Sequence, residues 1–228
     1  MVTGFERIVV SVPDLGGATG EYEQLMGVRA CRTAAGDAGE PAWFDLGNTV
    51  IQIQQGAVNE AAITGLVFSG QPPQETSRVT GDRLGLDLDF SDGSLPADVA
   101  QARPVPAMRV DHLVLRTADA DASIELFATQ LGIRLALDKT VPEWGGRMLF
   151  FRAGKLTLEV IASDKVEQSA FWGIAYQCPD LEATAEALSA RGVAVTEVRE
   201  GRKPGTRVAT VKSHCLGLPT LLIEPAAT

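Results

Sequence analysis

An α+β fold made of repeated βαβββ units, paired into curved half-barrel sheets, is what this sequence predicts. Three observations carry the prediction. Similar apolar runs of strand type recur as RIVVSVPDL from Arg7, HLVLRTADA from His112 and GIAYQCPDL from Gly173. Each reaches an aspartate at the same offset, Asp14, Asp119 and Asp180. Each then enters a helix-like stretch closed by a glycine, at Gly27, Gly132 and Gly192. From the first aligned residue the glycine comes 20, 20 and 19 positions later. Repeats of this kind define an architecture before any single element does.

The elements follow in order. Behind Asp14, Asp119 and Asp180 lie GATGEYEQLMG, ADASIELFATQLG and LEATAEALSARG. In the second of these, Ala120, Ile124, Phe127 and Leu131 form one apolar stripe at helical spacing. Only glycine turns a helix end into the left-handed conformation at little cost. Three β-rich runs then complete each unit: VRACRT, AWFDLG and TVIQIQQ; IRLALDK, RMLFFRAG and KLTLEVIA; VAVTEV, RVATVK and PTLLIEP. A further unit is expected between residues 63 and 105, opening with ITGLVFSG. It has QPPQETSRVTGD in place of a helix and then GLDLDFS, so it reads as a shortened, degenerate second module. The expected organisation is an N-terminal domain over 1–92, a linker over 93–108 rich in proline, and a C-terminal domain over 109–228. An open ferredoxin-like sandwich shares the same strand–helix alternation and is the alternative.

Composition narrows the function. The 228 residues carry a net charge of −9, with 45% hydrophobic and 21% charged, an ordinary globular balance. The acidic charge argues against a nucleic-acid partner, and no apolar run is long enough to span a bilayer. Glu6 and Arg7 precede the first apolar stretch without a basic segment ahead of them, which does not read as a signal peptide. Cys31, Cys178 and Cys215 form no CxxC pair, so a disulfide framework or zinc finger is not expected and a cytoplasmic location is.

The runs DHLVLRTADADASIELFATQLGIRLALD, FFRAGKLTLEVIA and WGIAYQCPDLEATAEALSARGVAV, followed by LGLPTLLIE, resemble the vicinal oxygen chelate superfamily. Glyoxalase I, bleomycin-resistance proteins, methylmalonyl-CoA epimerase and extradiol dioxygenases belong to it. The resemblance implies glyoxalase-like half-barrels and a homodimer. It is weak for reaction, because one scaffold hosts many chemistries. In metal-dependent members a module can supply one ligand from its first strand and one from its last. Carried over, these positions are His112 and Glu159, then Gly173 and Glu224. Glycine coordinates nothing, so the implied metal set is His112, Glu159 and Glu224. A divalent Mn, Fe, Ni, Co or Zn ion suits such ligands. Glu159 and Glu224 are then the candidate catalytic carboxylates. The matched N-terminal positions, Arg7, Gln52 and Gly65, form no conventional metal site.

The residues themselves give partial support. Glu159 stands in the apolar strand TLEVIA, where an unpaired carboxylate is costly. Arg116 shares the His112 face by strand alternation, and either pairs with Glu159 or holds a substrate carboxylate in a bidentate fork. Trp144 and Phe151, from EWGGRMLFF, are expected to line the pocket. Arg202, Lys203 and Arg207 surround a Pro-Gly turn that is either a solvated hairpin or a contact for an anionic substrate. Two functions follow. The first is a small-molecule enzyme with metal-assisted isomerase, epimerase or lyase chemistry on a carbonyl or vicinal-oxygen substrate. The alternative is a metal-free small-ligand-binding protein of the bleomycin-resistance kind.

Overall fold

The computed structural model describes residues 1–32, 39–72, 83–91, 95–100, 104–105, 108–141 and 146–226. The chain order is β1 (Val2–Val12), α1 (Leu15–Met26), β2 (Ala42–Asp45), β3 (Val50–Gln55), β4 (Ala62–Gly70), β5 (Asp87–Phe90) and α2 (Ala97–Ala100). It continues with β6 (Arg109–Thr117), α3 (Ala120–Ile124, running on as a π-helical turn over Glu125–Gln130), β7 (Arg134–Val141), β8 (Gly146–Ala153) and β9 (Leu156–Ala162). The last module is β10 (Ala170–Gln177), α4 (Leu181–Ala190), β11 (Arg199–Glu200), β12 (Arg207–Val211) and β13 (Thr220–Glu224).

The repeated aspartates and glycines have a mechanical explanation. Asp14, Asp119 and Asp180 are the N-caps of α1, α3 and α4, accepting backbone N–H groups of Gly16, Ala122 and Ala183. Such a side chain satisfies donors that the first helical turn leaves without partners. Gly27, Gly132 and Gly192 all take positive φ, at 70°, 69° and 82°, so the sequence reading of both helix ends holds.

The C-terminal sheet runs β11-β12-β13-β10-β6-β9-β8-β7. In it β6 lies parallel to β9, β10 lies parallel to β13, and β6 and β10 meet antiparallel at the centre. Two βαβββ units are thus related by a pseudo-two-fold between β6 and β10. The N-terminal sheet, β2-β3-β1-β4-β5, is the same arrangement with strands missing. The run VRACRT contributes only an isolated bridge from Cys31 to Trp43. The second module passes from β4 to β5, its parallel neighbour, and most of QPPQETSRVTGD lies outside the described residues. The expected linker is not a free tether: Leu95 and Val99 pack on Trp43 and Val50.

One buried cluster joins both sheets. It includes Leu113 and Leu115 of β6, Leu158 and Val160 of β9, Phe127 next to α3, Leu188 of α4, and Tyr22 and Leu25 of α1. Polar contacts fix how the halves meet. The Asn48 amide donates to the Val110 carbonyl at 2.7 Å and accepts the Val110 N–H at 3.2 Å. Arg191, at the end of α4, donates to the carbonyls of Gln24 and Leu25 at 2.7 and 3.2 Å, placing a cation on the negative end of α1. Among the described residues no helix is long and apolar enough to cross a membrane.

Candidate functional site

Strand alternation divides the C-terminal sheet into a face packed on helices and an open face. On β6, Leu113 and Leu115 enter the core, so His112, Val114 and Arg116 occupy the open side. Register then sets rows across this face. One runs Arg134, Arg152, Thr157, His112, Ala175 and Leu221 through β7, β8, β9, β6, β10 and β13. The next runs Leu137, Phe150, Glu159, Val114 and Gly173.

His112 stands between two carboxylates. Its Nδ1 lies 2.9 Å from Asp111 Oδ2 and its Nε2 lies 3.6 Å from Glu159 Oε2. The first is a hydrogen bond; the second is too long for one. Asp111 reaches the ring because the β6–β10 register shifts between His112 and Val110, a bulge that re-aims a side chain. The hydrogen bond from His112 holds the Asp111 carboxyl below its ordinary range, assisted by the charges of Arg109 and Arg152. Burial pushes the Glu159 carboxyl above its ordinary 4.5, against the opposing charges of His112 and Arg202.

The direction of the Glu159 shift has a consequence for stability. A carboxyl raised on folding binds more protons in the native state, so native stability falls as pH rises through the window above 4.5. Glu159→Gln is therefore expected to raise the melting temperature at neutral pH, with the gain disappearing below about pH 4.5. Thermal melts of both proteins across that range check it, and a variant less stable at pH 7 would contradict it.

The structure does not bring Glu224 to this site. It shares a strand face with Thr220 and Leu222, and Leu222 is fully buried on the helix side. Its carboxylate accepts the Leu181 N–H at the start of α4, at 2.7 Å, and faces Arg207 at 3.5 Å. The pseudo-two-fold gives the reason. His112 pairs with Thr157, and Glu159 lies two residues on; Gly173 precedes Ile174, whose partner is Thr220, so the matching residue is Leu221. Gly173 is sterically closed as well, since a Cβ there would lie 2.4 Å from the Pro219 carbonyl oxygen. The matched positions hold one imidazole, one carboxylate, a glycine and a leucine. No group of three metal-ligating side chains forms among the described residues. This donor set does not fit a resident metal of the kind the resemblance implies.

The other expected residues divide. Arg116 is exposed on the open face, its guanidinium 5.7 Å from the centre of the Trp172 ring, a cation–π distance. Arg202 acts electrostatically on Glu159. Lys203 is exposed, and its backbone carbonyl accepts from Thr206. Arg207 is corrected: it pairs with Glu182 and Glu224 on the helix side. Phe151 is also corrected: it is fully buried, 5.3 Å from Phe127 between ring centres. Its neighbour Phe150 stands opposite Glu159 instead. Trp144 lies outside the described residues. Sequence reasoning also missed Asp111 as a partner of His112, because adjacent strand residues normally face opposite ways.

The N-terminal sheet repeats the register without the chemistry. Arg7 and Gln52 occupy the places of His112 and Glu159. Arg7 lies over the Trp43 ring at 5.8 Å, and the chain's own Leu95 and Val99 pack against Trp43 and Val50.

Residues 111–210 match the family model of the Glyoxalase/Bleomycin resistance protein/Dioxygenase superfamily. The match spans less than half of the 228 residues and lies within the C-terminal sheet, whose paired modules agree with it. Among solved structures, a mutant of 4-hydroxymandelate synthase from Streptomyces coelicolor matches with a TM-score of 0.74 and 14% identity, covering 100% of this chain and 94% of that one. A xylose isomerase-like TIM barrel/4-hydroxyphenylpyruvate dioxygenase fusion protein matches with a TM-score of 0.69 and 14% identity, over 100% of this chain and 50% of that one. Methylmalonyl-CoA epimerase from Mycobacterium tuberculosis matches with a TM-score of 0.44 and 22% identity, over 52% of this chain and 88% of that one. No curated protein matches the chain.

Proposed function

We propose that this chain is an enzyme that moves a proton on a small carbonyl compound bound to the open face of the C-terminal sheet, without a resident metal. One observation carries the reading: His112 is held between Asp111 at 2.9 Å and Glu159 at 3.6 Å, on a face that also presents Val114, Phe150 and Ile161. A carboxyl raised by burial beside an imidazole is the kind of pair that acid–base chemistry uses. In this reading the Glu159 carboxylate takes a proton from carbon next to the carbonyl. The His112 Nε2–H donates a hydrogen bond to the oxygen as it gains charge. Asp111 accepts the Nδ1–H and orients the ring.

The test needs no known substrate. Chelator-treated protein is incubated in deuterium oxide with an α-hydroxyketone, a 1,3-diketone and an acyl thioester, and carbon-bound deuterium is followed by NMR. Exchange above background is expected with at least one compound, insensitive to chelation and reduced by about 10²–10⁴ in Glu159→Gln. Exchange that appears only with added metal would overturn the reading. A second reading, ligand sequestration without turnover, is favoured by the exposure of Leu137 and Trp172, 49% and 45%. Saturable binding of apolar compounds with no exchange would select it.

A further inference from the structure

We infer that the ligand of this face carries an oxyanion, carboxylate or phosphate, and that Arg134 and Arg152 anchor it. The inference rests on the open face being the ligand site, and it adds the ligand's charge and the position of its anionic group. The two arginines stand directly opposite each other in the β7–β8 register, so both leave the same face of the sheet. Directly opposed side chains have Cβ atoms roughly 5 Å apart, and like charges so placed disfavour the pairing. Both are exposed, and among the described residues neither makes an ion pair or hydrogen bond; the charge that Arg152 feels is that of Asp111, acting at longer range.

The nearby acids are engaged elsewhere. Asp138 receives both the Nε–H and an Nη–H of Arg147, at 2.8 and 2.7 Å, and Asp121 receives the other Nη–H at 2.7 Å. Asp111, which feels the Arg152 charge, accepts the Nδ1–H of His112 and is engaged there. Two planar guanidinium forks on one face, with no carboxylate in ion-pair contact among the described residues, match the oxygens of a carboxylate or phosphate.

Position links this pair to the chemistry. Arg134, Arg152, Thr157 and His112 form one row over four adjacent strands. Neighbouring strands lie about 4.8 Å apart, so the Arg152 and His112 backbones are separated by roughly 10 Å. A small molecule can therefore place its anionic group on the arginines and its carbonyl at His112 and Glu159. The Thr157 hydroxyl lies between them, and Phe150 and Leu137 occupy the next row. The same face presents Arg109, Arg116 and Lys139. In a chain of net charge −9 this is a local reversal of sign, which draws anions towards the site.

The experiment titrates inorganic phosphate and, separately, malonate into the full chain at low ionic strength. Arginine Nε–H and His112 ring signals are followed by NMR. Saturable shifts are expected in the wild type, with the tighter anion identifying the group. Arg134→Gln/Arg152→Gln should weaken binding at least tenfold, and Arg134→Lys/Arg152→Lys, which keeps the charge and loses the forks, by less. Arg29→Gln/Lys155→Gln, with the same charge change elsewhere, should leave it unaltered. Equal binding by the glutamine variant and the wild type, or shifts that never saturate, would overturn the inference. Anion binding is read without turnover, so it stands or falls separately from the exchange experiment.

Discussion

Phe151→Ala is expected to destabilise the protein by about 3–5 kcal/mol, the usual cost of emptying an aromatic site in a packed core. Phe150→Ala, one residue away, should cost far less and should instead weaken ligand binding. Phe151 is fully buried, and its ring packs against Phe127 at the π-helical turn after α3. Removing it leaves a void between β8 and that helix, which close-packed neighbours fill only in part. Phe150 is half-buried on the other face, opposite Glu159, where truncation opens the site to water without hollowing the core. Urea unfolding of both variants gives the two stabilities from midpoints at constant slope. A larger loss for Phe150→Ala would reverse the assignment of faces and return Phe151 to the pocket wall.

This pair also shows what the sequence could and could not disclose. The fold was legible because its signals are local and repeated. An aspartate that caps a helix and a glycine that ends one act on their own neighbours, so their recurrence at Asp14, Asp119 and Asp180 reports the modules directly. The site depends on register, which is not local. Alternation says that Phe150 and Phe151 face opposite ways, but only pairing with β9 says which of them meets Glu159. Glu224 was legibly in phase with Thr220 and Leu222; that this phase is the helix side follows from the pairing of Leu222 with Tyr176. The resemblance implied a ligand at Glu224, whereas the pairing of β10 with β13 puts Leu221 at the matched position. Asp111 was hidden by a bulge that no residue type announces. Arg134 and Arg152 are far apart in sequence, and only the β7–β8 hairpin register makes them a pair.

Gly173→His, which would place a histidine where the resemblance implies a metal ligand, is expected to destabilise the protein by at least about 1–3 kcal/mol and to gain no metal site. The steric argument comes first. A Cβ at Gly173 would lie 2.4 Å from the Pro219 carbonyl oxygen and 2.9 Å from the Pro219 side chain. That same oxygen accepts the Ile174 N–H at 3.0 Å, so moving it strains the junction of β10 and β13. Gly173→Ala separates the two effects, because it adds the clash without the imidazole and should show most of the loss. The chemical argument is independent of the clash. Even with a histidine accommodated, the fourth matched position is Leu221, which has no donor to offer. Melting temperatures with and without added Ni, Zn or Mn decide the matter, since an ion bound only by the native state raises its stability. A rise of several degrees in Gly173→His alone would mean that Pro219 yields and that one substitution is enough to give this face a metal site. No rise, in a variant already weakened, means that the departure is built into the packing of two strands, and that His112 and Glu159 act with Asp111 as their partner.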